Sequence, residues 1–124
     1  MTDHVRLTVP RARPYFGVAH LVLGGLAMRQ NVTLEALEDL QLAVDEVLER
    51  EHGEGAVTLE LQLLDGTLEA RIGPFDGRAL RADLEPLGEG ELGLRRVLDS
   101  TVDAVDVETR DDGEWVRISK ALHT

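Results

Sequence analysis

One helical stretch of this sequence brings together the residues best suited to chemistry. The run Leu42-Ala43-Val44-Asp45-Glu46-Val47-Leu48-Glu49-Arg50 holds three carboxylates and a guanidinium. A Glu such as Glu46 can accept a proton near neutral pH when partly buried. Arg50 is different in kind, because it offers donors only and a fixed positive charge. It stands one helical turn beyond Glu46, and residues at i and i+4 meet, so the two can pair. Asp45 and Glu49 compete for the same guanidinium. The plainest account of Glu46 is a solvated helix residue among several acids. The four histidines, His4, His20, His52 and His123, are scattered with no ligand spacing, which argues against a metal site.

The chain has 124 residues, a length that suits one domain spanning 1–124. Hydrophobic residues make up 43%, enough for a core, but aromatics are only 3%, so Leu, Val, Ile and Ala must build it. The formal net charge is −11. Such a surface repels phosphate backbones and anionic lipid heads, so nucleic acid and membrane are poor partners. A basic protein patch is a better one, although acidity also serves solubility alone. The sequence has no cysteine, no secretory signal at Met1-Thr2-Asp3-His4 and no long apolar run, which together lead us to expect a cytoplasmic protein.

The residues predict a layered domain. Val5, Leu7 and Val9 alternate with polar residues in a first strand, ended by Pro10. Pro14 opens a helix to Gln30, with Phe16, Ala19, Leu23 and Leu26 inward and Tyr15 and Val22 beside them. Gly24-Gly25 weakens that helix by about 1 kcal/mol per glycine, and close packing against a neighbour is the expected reason. Asn31 and Thr33 offer capping oxygens for a second helix, Leu34 to His52, lined by Leu37, Leu40, Val44, Val47 and Leu48. Alternation over Val57 to Leu63, an Asp65-Gly66 turn and a return strand Thr67 to Ile72 predict a hairpin. Its register sets Leu63 against Leu68, Leu61 against Ala70 and Leu59 against Ile72, with Glu60 meeting Arg71 on the other face. A loop over Gly73 to Gly90 leads to a third helix, Glu91 to Ser100. A last hairpin, Val102 to Thr109 and Glu114 to Ala121, turns at Asp112-Gly113, pairs Thr109 with Val116 and sets Trp115 beside Arg110. The fold class is therefore α+β. It is a two-layer α/β sandwich with a mostly antiparallel five-stranded sheet and three helices on one face.

This order of elements resembles the histidine-kinase-like ATPase fold, also called the GHKL or Bergerat fold, and within it the bacterial anti-sigma serine kinases. The likeness runs over nearly the whole chain. It rests on the helix with Glu46, on the hairpin after it and on Gly90-Glu91-Leu92-Gly93-Leu94, which is similar to the family's Gly-x-Gly-Leu segment. In that family the second helix reads roughly Ala-Val-x-Glu-Ala-x-x-Asn. Glu46 fills the position of the carboxylate that readies the attacking nucleophile, while Arg50 replaces the metal-binding Asn. The family's Asp-x-Gly-x-Gly, whose Asp takes the adenine amino group, falls on Ile72-Gly73-Pro74-Phe75-Asp76-Gly77. Pro74 stands nearest the Asp position and has neither a side-chain acceptor nor a backbone N–H. Asp76 fits only after a two-residue shift that carries it past the strand end.

The resemblance implies a degenerate member, a pseudokinase. Of the nucleotide features only Gly88, Gly90 and Gly93 remain, where a helix N-terminus and a close backbone can approach phosphate. Phosphoryl transfer depends almost wholly on positioning and electrostatics, so the expected role is protein binding without a cofactor. The implied partners are a sigma factor or a STAS-like anti-sigma antagonist, in partner switching, with a homodimer in keeping with the family. The alternative is an active ATP-dependent protein serine kinase that uses Mg²⁺ through altered ligands. In it Glu46 is the base, Asp76 serves metal or adenine, and the glycines hold phosphate.

Overall fold

A computed structural model describes residues 3–30, 32–49, 55–76 and 94–122. In chain order the elements are β1 (Asp3–Pro10), α1 (Arg13–Gln30), α2 (Leu34–Leu48), β2 (Ala56–Leu64), β3 (Thr67–Phe75), α3 (Leu94–Thr101), β4 (Ala104–Arg110) and β5 (Gly113–Ala121). They form the expected α+β sandwich. The five strands run in the order β1-β2-β3-β5-β4, and every pairing is antiparallel.

The first hairpin carries the predicted register residue for residue, from Leu64 opposite Thr67 to Leu59 opposite Ile72. Asp65 (φ 49°) and Gly66 (φ 78°) both take the left-handed backbone that such a two-residue turn requires. A slip by one residue would turn Leu59, Leu61, Leu63, Leu68, Ala70 and Ile72, all buried, out of the core. The second hairpin differs from expectation by two residues. Arg110 pairs with Gly113, so the turn is Asp111-Asp112, and Val107 meets Val116 while Thr109 meets Glu114. Gly113 belongs to the strand instead, at a φ of 141° open to glycine, and a Cβ there would stand 2.9 Å from the Phe75 carbonyl oxygen. Because the shift is an even number, the inward residues stay inward. Strand β3 also runs on to Phe75, through residues expected in a loop.

Leu23, Leu40, Val44, Val47, Leu59, Ile72, Leu98 and Ile118 share one core between helices and sheet. Thr33 caps α2, its Oγ1 accepting from the Ala36 N–H at 3.1 Å. The helix stops at Leu48, short of the expected His52, with Glu49 as its C-cap. In α1, Phe16, Ala19, Leu23 and Leu26 are buried as expected and Val22 is half-buried, but Tyr15 faces solvent. The expected reason for Gly24-Gly25 fails. A Cβ built on either glycine meets nothing within 4 Å, so no neighbour among the described residues packs against them.

The sheet's other face is a lattice of opposite charges. Arg110 donates to Glu60 at 3.0 Å, Arg71 to Glu108 at 3.2 Å and to Glu69 at 3.2 Å, and Arg117 to Asp106. Glu60 and Arg71 sit opposite each other as expected, yet each turns to another partner. Hydrogen bonding from Arg110 holds the Glu60 carboxyl below its ordinary pKa of 4.5, against the opposing effect of burial. A depressed carboxyl pKa stabilises the fold above the unfolded value, and that contribution disappears as pH falls through the folded value. Glu60→Gln is therefore expected to lower stability at neutral pH and to flatten the loss of stability below pH 4.5, as read from urea unfolding across an acid series. An unchanged acid limb in the variant would refute this assignment.

Candidate functional site

Of the residues singled out by the sequence, the described structure places Glu46 on α2, Pro74 in β3 and Asp76 just beyond that strand. Glu46 lies half-buried on α2, between Asp45 and the fully buried Val47. Its acidic neighbours turn to α1. His20 Nε2 meets Asp45 Oδ1 at 2.7 Å, and Arg13 meets Glu49 at 3.3 Å. Both carboxylates that compete on paper for Arg50 thus have cationic or imidazole partners across the helix pair. Arg50 itself lies outside the described residues, as do Gly77, Gly88, Gly90 and Gly93.

The end of β3 has an unusual construction. The Gly73-Pro74 peptide is cis. The Arg11 guanidinium donates through Nη2 to the Pro74 carbonyl oxygen. It also lies 5.3 Å from the centre of the Phe75 ring, a cation–π contact. Arg11 is buried, a rare state for arginine unless its charge is matched by such partners. Its own N–H donates to the Gly55 carbonyl at 3.1 Å, which ties the end of β1 to the start of β2. On the outer face Trp115 lies against Gly73, only 2% exposed. The Trp115 Nε1 donates to Asp112 at 2.8 Å, and the Arg110 guanidinium covers the ring at 4.0 Å, the contact expected from the hairpin. Asp76 is exposed, one residue beyond the strand.

This geometry limits the chemistry. At Pro74 the chain presents no carboxylate, and its backbone carbonyl already accepts a hydrogen bond from Arg11. At this residue the strand end therefore presents no side-chain acceptor for an amino group. Among the described residues no group of three or more His, Asp or Glu side chains could hold a metal ion. The sequence reading missed Arg11 and the His20–Asp45 pair. The only signal for Arg11 was an arginine directly after the strand-ending Pro10, and nothing local marked His20, whose partner lies 25 residues away.

The sandwich and the helix that bears Glu46 define a class of domain similar to the serine-kinase type. The comparisons agree. The chain is 28% identical to the serine-protein kinase RsbW of Bacillus subtilis and 27% identical to that of Bacillus velezensis, in both cases over 98% of this chain and 87% of the relative. A protein of the same name from Listeria innocua is 29% identical over 73% of this chain and 65% of its own length. These relatives support the family to which the motifs pointed. No family model matches the chain. No helix among the described residues is long and apolar enough to cross a membrane.

Proposed function

We propose that this chain is a regulator of the anti-sigma type that works by binding proteins in bacterial transcription control and does not transfer phosphate. The observation that carries the non-catalytic part is Pro74. By the resemblance it stands nearest the place of a carboxylate, and its carbonyl is engaged by a buried arginine. The relatives' alignment is longer than the chain. It runs to 141 positions against a chain of 124 residues, so the relatives hold residues within that span that this chain lacks. The partner is a sigma factor or a STAS-like antagonist of such regulators, and partner switching between them is the mode of action. A surface with net charge −11 suits a basic patch on either, chiefly by speeding encounter and excluding wrong partners. Self-association and a cytoplasmic setting belong to the same reading.

A second reading rests on two observations, the relatives' name and the retained Glu46. In it the chain is an active serine kinase with altered nucleotide ligands and Glu46 as the base. Capture from a host lysate on the immobilised chain, without added nucleotide, tests the binding role. A sigma factor or a small antagonist domain is expected among the bound proteins, and their release at high salt is expected because the attraction is screened. Recovery of neither class would overturn the binding role.

A further inference from the structure

The two outer edges of the sheet are not built alike. Strand order places β1 at one edge and β4 at the other, and no described strand pairs beyond either. The bond from the Arg11 N–H to the Gly55 carbonyl, at 3.1 Å, continues the ladder between β1 and β2. Backbone bonding alternates along an antiparallel strand, so Arg6, Thr8 and Pro10 hold the free edge of β1. Pro10 has no N–H to offer there, and the Arg6 side chain, 65% exposed, sets a charge beside it. Both are ordinary guards against an added strand.

Strand β4 lacks them. The Asp103 N–H donates to the Ser119 carbonyl at 2.8 Å, and the Ala121 N–H donates to the Asp103 carboxylate at 2.7 Å. Ser119 and every second residue of β5 before it thus face β4, opposite Ala104, Asp106, Glu108 and Arg110. Val105 and Val107 lie between those residues and turn their N–H and C=O groups to the free edge. Their side chains point to the helices, Val105 buried and Val107 half-buried. The strand keeps one register over its seven residues and holds neither Pro nor Lys.

Charge decides which segment fits. Between residues 103 and 112, Asp103, Asp106, Glu108, Asp111 and Asp112 stand against Arg110 alone. Asp106 is 55% exposed, and a carboxylate can accept more than the bond it takes from Arg117. A second copy would bring its own acids against this row, and like charges set opposite each other repel. An added strand places alternate side chains beside Val105 and Val107 on one face and beside Asp106 and Glu108 on the other.

We infer that the free edge of β4 takes an extended segment of a partner protein as a sixth strand, one that alternates apolar residues with Lys or Arg. Backbone bonds to Val105 and Val107 give the attachment, and the two rows of side chains give the choice. The inference rests on the protein-binding reading for its class of partner. It is tested with a peptide, so its failure leaves that reading standing.

The probe is a blocked peptide as long as β4 that alternates valine with lysine. Hydrogen exchange of the full chain, followed by NMR, is expected to find the Val105 and Val107 amides fast in the free chain. Saturating peptide is expected to slow both by about tenfold, while Asp106 and Glu108, bonded to β5, are slow throughout. The same peptide N-methylated at every amide, or with glutamate for lysine, is expected not to bind. Val107→Pro removes the outward N–H without touching the ladder to β5, and is expected to weaken binding about tenfold. Asp106→Asn leaves the backbone alone and is expected to weaken it about threefold. A lysine peptide that does not bind, or that binds equally well when N-methylated, overturns the inference. So do Val105 and Val107 amides that are already slow in the free chain, or that bound peptide leaves fast.

Discussion

Gly73→Ala is expected to lower stability by about 1–3 kcal/mol, the usual cost of forcing an extra carbon into a packed site. The new Cβ would stand 2.5 Å from Trp115 Cδ2 and 2.6 Å from Cγ, where real carbon atoms do not go. A flexible side chain would move aside. Trp115 is held on three sides, by the Asp112 carboxylate on its Nε1, by the Arg110 guanidinium over its face and by the sheet beneath. Urea unfolding followed by the fluorescence of this one tryptophan measures the loss. The cause is checked in a Trp115→Leu background. There the ring is gone, and the same Gly73→Ala change is expected to cost little, a coupling of the size seen for residues in contact. An equal cost in both backgrounds would mean that the backbone of the strand, and not the ring, resents the methyl group.

The consequence reaches the candidate site. Gly73 directly precedes Pro74, so the ring that forbids a side chain at one position also pins the backbone of the next. Arg11 completes the clamp from the other side, with its bond to the Pro74 carbonyl and its stack on Phe75. Trp115 is thereby a natural reporter of anything that disturbs this strand end.

Millimolar Mg-ATP is accordingly expected to leave both the melting temperature and the Trp115 fluorescence unmoved. A site filled at a hundredfold over its dissociation constant would add about 2.7 kcal/mol, which in a domain of this size is roughly a 10 °C rise. The magnitude makes the null result decisive. The converse experiment installs, at the two positions the resemblance points to, the residue types it implies. Arg50→Asn with Pro74→Asp supplies an amide carbonyl for the metal and a carboxylate for the base. Arg11→Gln is needed beside them, because the Arg11 guanidinium already sits at residue 74 and would claim the new carboxylate. A magnesium-dependent rise in melting temperature in the substituted chain is expected. A rise of the full size in the unaltered chain, or phosphate transfer from it to a captured partner, would establish the kinase reading instead.

Much of the fold could be read from the residues alone, and the reasons are local. Alternation from Val57 to Leu63 and the Asp65-Gly66 turn together specify a register, since any slip by one exposes an apolar row. At the second hairpin the same reasoning chose the wrong turn. Asp111, Asp112 and Gly113 offer two competing two-residue turns, and local preference favours the one with glycine. The tertiary structure favours the other, because Gly113 is needed where the Phe75 backbone comes within 2.9 Å of its missing side chain. The glycines of α1 teach the reverse lesson, since close packing is the natural expectation and the described residues leave them open.

The sequence by itself determined the kinds of group available: a glutamate on an amphipathic helix, a proline where the resemblance would set a carboxylate, and a helix free of acids in an acidic protein. These follow from residue type and period, which no fold can alter. Only the tertiary structure decided who touches whom. Arg11 reaches a carbonyl 63 residues away, and His20 finds Asp45 on the next helix. Such contacts join residues that the chain brings together only when the sheet closes under its helices, and burial then gives each of them its strength.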